Sequence, residues 1–125
     1  MESRSVSADF LAETHVGSLL RFAGDTEAVA LLRRAFDVLA SGSDDVPLDF
    51  LELRDVTIEF RLGARGGMRR TSASAFTYQG DRDQWESRAL LLDPLVTGAP
   101  GFQYLGDDAL GDVGVVVTTY ADASL

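Results

Sequence analysis

The sequence has 125 residues, a formal net charge of −9 and no cysteine. A chain of this length predicts one domain spanning 1–125, with 1–6 and 121–125 loosely held. Hydrophobic residues make up 46% of the chain, which excludes a disordered protein, and no apolar run is long enough to span a bilayer. Without cysteine there is no disulfide scaffold, thiol nucleophile or Cys-ligated zinc, and one histidine excludes a multi-histidine metal site.

The residue types that are missing are also informative. All 11 basic residues are arginine, asparagine is absent, and Ile58 is the only isoleucine. A genome rich in G and C accounts for this pattern, because the codons for lysine, asparagine and isoleucine are rich in A and T. A halophile is the alternative, since an Asp-rich surface without lysine stays hydrated in brine. The lack of lysine excludes Schiff-base, pyridoxal-phosphate and P-loop chemistry.

Two helices are predicted at the start of the chain. Apolar residues recur at helical spacing over Ala8–Phe22, with Ser7 as the N-cap and Gly24 after the end. A second helix begins at Asp25 or Thr26 and runs to about Ala40. Its apolar stripe comprises Val29, Leu32, Phe36 and Leu39. The short connection predicts an antiparallel helix pair.

Strands are predicted next. A short strand at Phe50–Leu53 is out of phase with a strand at Val56–Leu62, in which apolar and polar residues alternate strictly. The glycine-rich segment Gly63–Gly67 predicts a hairpin turn, and Met68–Tyr78 predicts the return strand.

The last part of the chain mixes a helix with strands. Asp81 and Gln84 have the spacing of a capping box, which predicts a helix over Arg82–Leu92 that ends before Pro94. A second hairpin with Trp85–Leu92 as a strand is the alternative.

Two strands follow, separated by an acidic turn at Gly106–Gly111. The first is a short strand at Phe102–Leu105. The second, Val113–Tyr120, is apolar on both faces and therefore central. The predicted fold class is α+β, with two N-terminal antiparallel helices packed on a mostly antiparallel sheet of four to five strands.

Catalytic, cofactor and metal sites are not predicted. His15 lies on the first predicted helix, and the sequence shows no Gly-x-Ser-x-Gly elbow with which it could form a triad. Acid pairs occur at Asp44 and Asp45 and at Asp81 and Asp83. A further acidic segment, which lacks the spacing of a calcium loop, contains Asp107, Asp108 and Asp112. Acids in turns stay solvated and ionised, so we expect them to form a surface.

The segment 61–70 carries four arginines and no acid, on a chain that is otherwise acidic. Arginine forks and glycine N–H groups suit an anion or a protein contact, whereas a solvated hairpin is the simpler interpretation. Arg61 should point outward from its strand, and Arg65 should lie in the turn. Arg69 and Arg70 should point to opposite faces, so only one of them can join Arg61.

Five aromatic residues in the second half of the chain have two possible roles. Trp85, Phe76, Tyr78, Phe102 and Tyr104 either form the core of the sheet or, with His15, line an apolar pocket. A pocket would suit an α+β cone whose sheet encloses a cavity against the helices, an analogy of architecture only.

Two functions fit these features. The first is a small acidic, non-enzymatic protein-binding module, of the inhibitor, immunity-protein or chaperone kind, that occupies a partner's basic surface. The alternative is a small-molecule binder or cofactor-free enzyme with an apolar cavity. The N-terminus lacks the apolar core of a signal peptide, so we expect a cytoplasmic protein. The net charge disfavours nucleic acid and anionic membranes as partners. A homodimer is compatible with the sequence.

Overall fold

A computed structural model describes residues 5–14, 17–64, 66–97, 101–105 and 113–119. The elements in chain order are β1 (Val6–Thr14), β2 (Gly17–Ala23), α1 (Thr26–Ala40), β3 (Leu51–Leu53), β4 (Thr57–Leu62), β5 (Gly67–Arg70), β6 (Ala75–Gly80), α2 (Arg82–Leu91), α3 (Asp93–Val96), β7 (Phe102–Tyr104) and β8 (Gly114–Thr118). The predicted α+β class is confirmed, but two sheets replace the single sheet of four to five strands. Within these ranges, no helix combines the length and apolarity needed to cross a membrane.

The predicted first helix, Ala8–Phe22, is wrong: the segment forms an antiparallel hairpin of β1 and β2. The burial pattern has period two, because Ala8 and Phe22 are buried partners while Asp9 and Arg21 lie on the other face. Apolar pairs such as Leu19 and Leu20 also fit helical spacing, so the pattern was ambiguous. The chain therefore has no N-terminal antiparallel helix pair.

The second predicted helix is confirmed as α1. Asp25 is the N-cap, and its carboxylate accepts a hydrogen bond of 2.8 Å from the backbone N–H of Ala28. The predicted apolar stripe is fully buried, at Val29, Leu32, Phe36 and Leu39. This face anchors the helix to the core.

The strands form a five-stranded sheet of order β3-β1-β2-β8-β7 and a three-stranded sheet of order β4-β6-β5. Three strand pairs are parallel (β1–β3, β2–β8, β4–β6) and three are antiparallel, so the mostly antiparallel prediction is wrong. The prediction that the Val113–Tyr120 segment is a central strand is confirmed. β8 lies between β2 and β7, and all five of its residues are buried.

The predicted hairpin across Gly63–Gly67 is also wrong. β4 pairs in parallel with β6, and β5 pairs with β6 rather than with β4. The predicted return strand, Met68–Tyr78, is divided by an exposed turn in which the N–H of Thr71 donates to the carbonyl of Ala75 at 2.8 Å. The alternation within Val56–Leu62 is confirmed, since Val56, Ile58 and Phe60 are buried.

The capping box at the start of α2 is confirmed, which excludes the alternative hairpin. The Asp81 carboxylate accepts from the N–H of Gln84, and the Gln84 side chain accepts from the N–H of Asp81, both at 2.8 Å. Pro94 follows the end of α2, and it occupies the first turn of α3, where its missing N–H is harmless.

The two sheets and the helices meet in one aromatic cluster. Phe36 of α1, Phe60 of β4 and Trp85 of α2 have ring centroids 5.1–5.8 Å apart, and Tyr78 of β6 lies 5.1 Å from Trp85. The five-stranded sheet reaches this cluster through Phe22, whose ring is 6.2 Å from that of Phe60. These large side chains fill the space between the helices and the sheets.

Candidate functional site

Two of the predicted acidic clusters lie at the same end of the helical layer. The carbonyl of Ala40, the last residue of α1, accepts a hydrogen bond of 3.1 Å from Nε of Arg82, the first residue of α2. The loop with Asp44 and Asp45 leaves α1 at this point, and Asp81 precedes α2 there. The loop that carries Asp44 and Asp45 therefore begins beside the start of α2, although the two acidic clusters are almost forty positions apart in the chain.

We call this surface the acidic pole and define it as Asp44, Asp45, Asp81, Asp83 and Glu86. All five residues are exposed. Asp81 uses its carboxylate to cap α2. The other four carboxylates form no ion pair with any part of the chain that the structure describes. Asp107, Asp108 and Asp112 lie outside the described residues.

The arginines of segment 61–70 do not form one patch. Arg61 is exposed, and Arg69 lies on the same outer face of the three-stranded sheet. Arg70 lies at the other face and stacks over the ring of Phe10, 4.6 Å from its centroid. Its guanidinium also donates to the carbonyl of Ala73 at 2.7 Å. Arg65 lies outside the described residues.

The predicted aromatic residues separate into two groups. Trp85, Tyr78 and Phe76 are core residues with at most 2% exposure. Phe102 and Tyr104 are exposed on β7, at the edge of the five-stranded sheet. They therefore line no common pocket, and His15 lies outside the described residues.

Sequence reasoning missed Arg88, the most deeply buried charged residue of the described ranges. It is 1% exposed, and its guanidinium lies 4.2 Å from the ring centroid of Tyr78 and 4.4 Å from that of Trp85. Nη2 donates to the carbonyl of Gln79 at 2.9 Å. The sequence feature that could have revealed its burial is the helical spacing that it shares with Trp85, Ala89 and Leu92. These contacts define a structural cation packed against two adjacent rings.

A groove of about 460 Å³ also went unpredicted; it lies between α1 and the loop that follows it. Apolar side chains dominate the lining, and Arg34 and Asp49 supply charge. The lining residues are Leu31, Arg34, Ala35, Val38, Val46, Pro47, Asp49 and Phe50. The sequence feature that could have revealed the groove is the apolar stripe on α1, which is wider than the face that the helix packs against the core.

Comparisons with protein-family models, curated proteins and solved structures find no match to this chain. The described residues also contain no group of three or more histidine, aspartate or glutamate side chains arranged to hold a metal ion. Functional inference therefore depends on the surfaces described above.

Proposed function

We propose that this protein is a protein-binding module whose acidic pole binds a basic surface of its partner. The observation that carries the proposal is the hydrogen bond between the end of α1, where the loop with Asp44 and Asp45 begins, and the start of α2, where Asp81 and Asp83 lie. Carboxylates without ion pairs of their own are available to a partner's arginines or lysines. Such complementary charge accelerates association and selects against acidic partners.

Three of the five acids, Asp81, Asp83 and Glu86, are held at the start of α2. The capping box fixes Asp81 and the first turn of α2, and the hydrogen bond from Arg82 to Ala40 ties that turn to α1. Asp83 and Glu86 project from a helix, so their spacing is set by the backbone. A pre-positioned set of charges loses little side-chain entropy on binding.

A comparison of two charge variants tests the proposal. The pole variant is D44N/D45N/D83N, and the control variant is E52Q/D55N/E59Q, which changes exposed acids on or next to the strands β3 and β4. Both variants remove three negative charges. A protein of the source organism that is retained by the wild type should stay bound to the control variant. It should bind the pole variant about 3- to 30-fold more weakly.

Salt provides the second measurement. Because exposed charges are screened, affinity for that protein should fall between about 0.05 M and about 0.5 M salt. Equal affinities of the two charge variants, or an affinity that salt leaves unchanged, would contradict the proposal.

The groove supports a second candidate function, the binding of a small amphiphilic molecule. Its volume lies in the range of ligand sites, and Arg34 could pair with an acidic head group while Val38 and Phe50 contact the tail. The substitution Val38→Trp would fill the groove, with Leu90→Trp on exposed α2 surface as its control. An anionic naphthalene dye should bind the wild type and the control but not Val38→Trp, and equal binding by all three would exclude this function.

A further inference from the structure

Among the described residues, nothing pairs with the outer edge of strand β7. It ends the five-stranded sheet, and within the described ranges only β8 pairs with it. On the β8 side, the carbonyl of Gly101 accepts a hydrogen bond from the N–H of Thr119, and the N–H of Leu105 donates to the carbonyl of Val115. Because N–H and C=O groups alternate in direction along an antiparallel strand, those of Phe102 and Tyr104 point away from β8.

The composition of this edge is unlike that of the other three. Segment 101–105 carries no charged residue in a chain of net charge −9. The remaining edge strands all carry charges: β3 has Glu52, β4 has Glu59 and Arg61, and β5 has Arg69 and Arg70. Charged side chains are the usual protection against edge-to-edge pairing, so β7 is the one described edge strand without it.

The exposed side chains of β7 add apolar area to this outer edge. Phe102 and Tyr104 are 47% and 39% exposed and lie on one face, with ring centroids 5.7 Å apart in an edge-to-face arrangement. Aromatic side chains on adjacent strands stabilise strand pairs. Backbone groups and side chains of β7 therefore both offer contacts to a further strand.

We propose that β7 pairs antiparallel with β7 of a second copy of this chain, with the two-fold axis at Gln103. In this register Phe102 of each copy lies opposite Tyr104 of the other, and the outward backbone groups form four hydrogen bonds. In the single copy, the side-chain amide of Gln103 donates to the carbonyl of Tyr104 at 2.9 Å. In the dimer, a backbone N–H of the second copy donates to that carbonyl instead. The two five-stranded sheets become one sheet of ten strands.

Charge sets the conditions under which this dimer forms. Each copy has a net charge of −9, so two copies repel, and the uncharged edge is where they approach at the lowest electrostatic cost. A three-residue strand buries little area, so we expect a dissociation constant that is micromolar or weaker. Salt should strengthen the dimer by screening the repulsion, whereas it should weaken binding at the acidic pole. The two proposals therefore succeed or fail independently.

Cysteine cross-linking tests the register, and the absence of natural cysteine makes each variant a single-thiol protein. At the two-fold axis the Gln103→Cys residues face each other with Cα atoms about 4.5 Å apart, within reach of a disulfide. Phe102→Cys residues lie about 8 Å apart in the same dimer, which is too far. Leu53→Cys, on the opposite edge of the sheet, and Leu90→Cys, on α2, are exposed controls.

Under mild oxidation, Gln103→Cys should form a covalent dimer faster than the other three variants. Equal rates for all four variants, or a faster rate for Leu53→Cys or Leu90→Cys, would overturn the proposal. A faster rate for Phe102→Cys would overturn the register.

Sedimentation of the protein without cysteine tests the association itself. The wild type should shift from monomer towards dimer as its concentration rises, with a larger shift in high salt. Phe102→Asp should weaken the dimer about tenfold or more, whereas Leu90→Asp, which adds the same charge at a more exposed residue, should leave it unchanged. A wild type that stays monomeric at high concentration and high salt would overturn the proposal, as would equal weakening by both variants.

Discussion

Arg88 shows how a single charged residue is accommodated in the core. Its guanidinium packs against the rings of Tyr78 and Trp85, and Gly80 lies directly beside it. A Cβ atom on Gly80 would be 2.5 Å from Nη1 of Arg88. Because Arg88 is 1% exposed and packs against both rings, it has little room to move away, and close packing favours glycine at position 80.

We expect Gly80→Ala to destabilise the protein by about 1–3 kcal/mol, the usual cost of inserting a methyl group into a packed site. Gly63→Ala, at the neighbouring strand end, is the matched control. The three atoms nearest to its Cβ would all belong to the side chain of Gln79, which is partly exposed and can shift towards solvent. Urea unfolding of both variants measures the difference, and equal losses would show that Arg88 is not confined.

At the scale of elements, the N-terminal hairpin is held by a paired charge. Arg21 of β2 donates to both carboxylate oxygens of Asp9 on β1, with Nη2 to Oδ2 at 2.6 Å and Nε to Oδ1 at 3.0 Å. Both side chains are about four-fifths buried. A bidentate ion pair of this kind stabilises the hairpin and also fixes the register of β1 against β2, because a slip of one residue would separate Asp9 from Arg21.

A double-mutant cycle on Asp9→Ala and Arg21→Ala should give a coupling free energy of about 1–2 kcal/mol in unfolding. The exposed pair of Arg54 and Glu52, whose closest atoms are 3.5 Å apart, provides the comparison cycle and should couple by less than about 0.5 kcal/mol. Similar coupling in the two pairs would contradict the structural role given to Asp9.

The elements differ in how far the sequence determined them. α1 and α2 were predictable because their N-caps and apolar stripes are local signals, and β8 because its apolar run is continuous. The hairpin of β1 and β2 was not predictable, because Leu19, Leu20 and Phe22 fit the spacing of a helix as well as that of a strand. The pairing of Asp9 with Arg21 across the turn, which favours the strands, is not visible in a local pattern.

Local sequence patterns could not predict which strands pair with each other. The segment Gly63–Gly67 resembles a tight turn, yet β4 pairs with β6, a choice made by packing around Phe60 and Tyr78. The same limit applies to the candidate site. The acids were visible in the sequence, but the contact of Arg82 with Ala40 that joins their two clusters was not.

For the whole molecule, the net charge of −9 is a source of self-repulsion in the folded state. We expect the melting temperature to rise by about 4 °C, or about 1 kcal/mol, as salt increases to about 0.2 M. The rise should then level off, because the screening length is already shorter than the protein. Calorimetry at a series of salt concentrations measures this.

The variant D44N/D45N/D83N should show a smaller rise, because it removes three of the repelling charges. A melting temperature that climbs steadily into molar salt in both proteins would instead indicate a salt-adapted surface.

The parallel pairing of β2 with β8 delays the completion of the larger sheet until β8 has been made. Leu19 pairs with Gly114, 95 positions further along the chain. At ordinary elongation speeds the ribosome takes about 5–20 s to make the intervening chain, far longer than a hairpin needs to form. During that interval β2 has an unsatisfied backbone edge and an uncovered apolar face at Leu20 and Phe22. The nascent hairpin is thus a natural target for chaperones until β8 has been made.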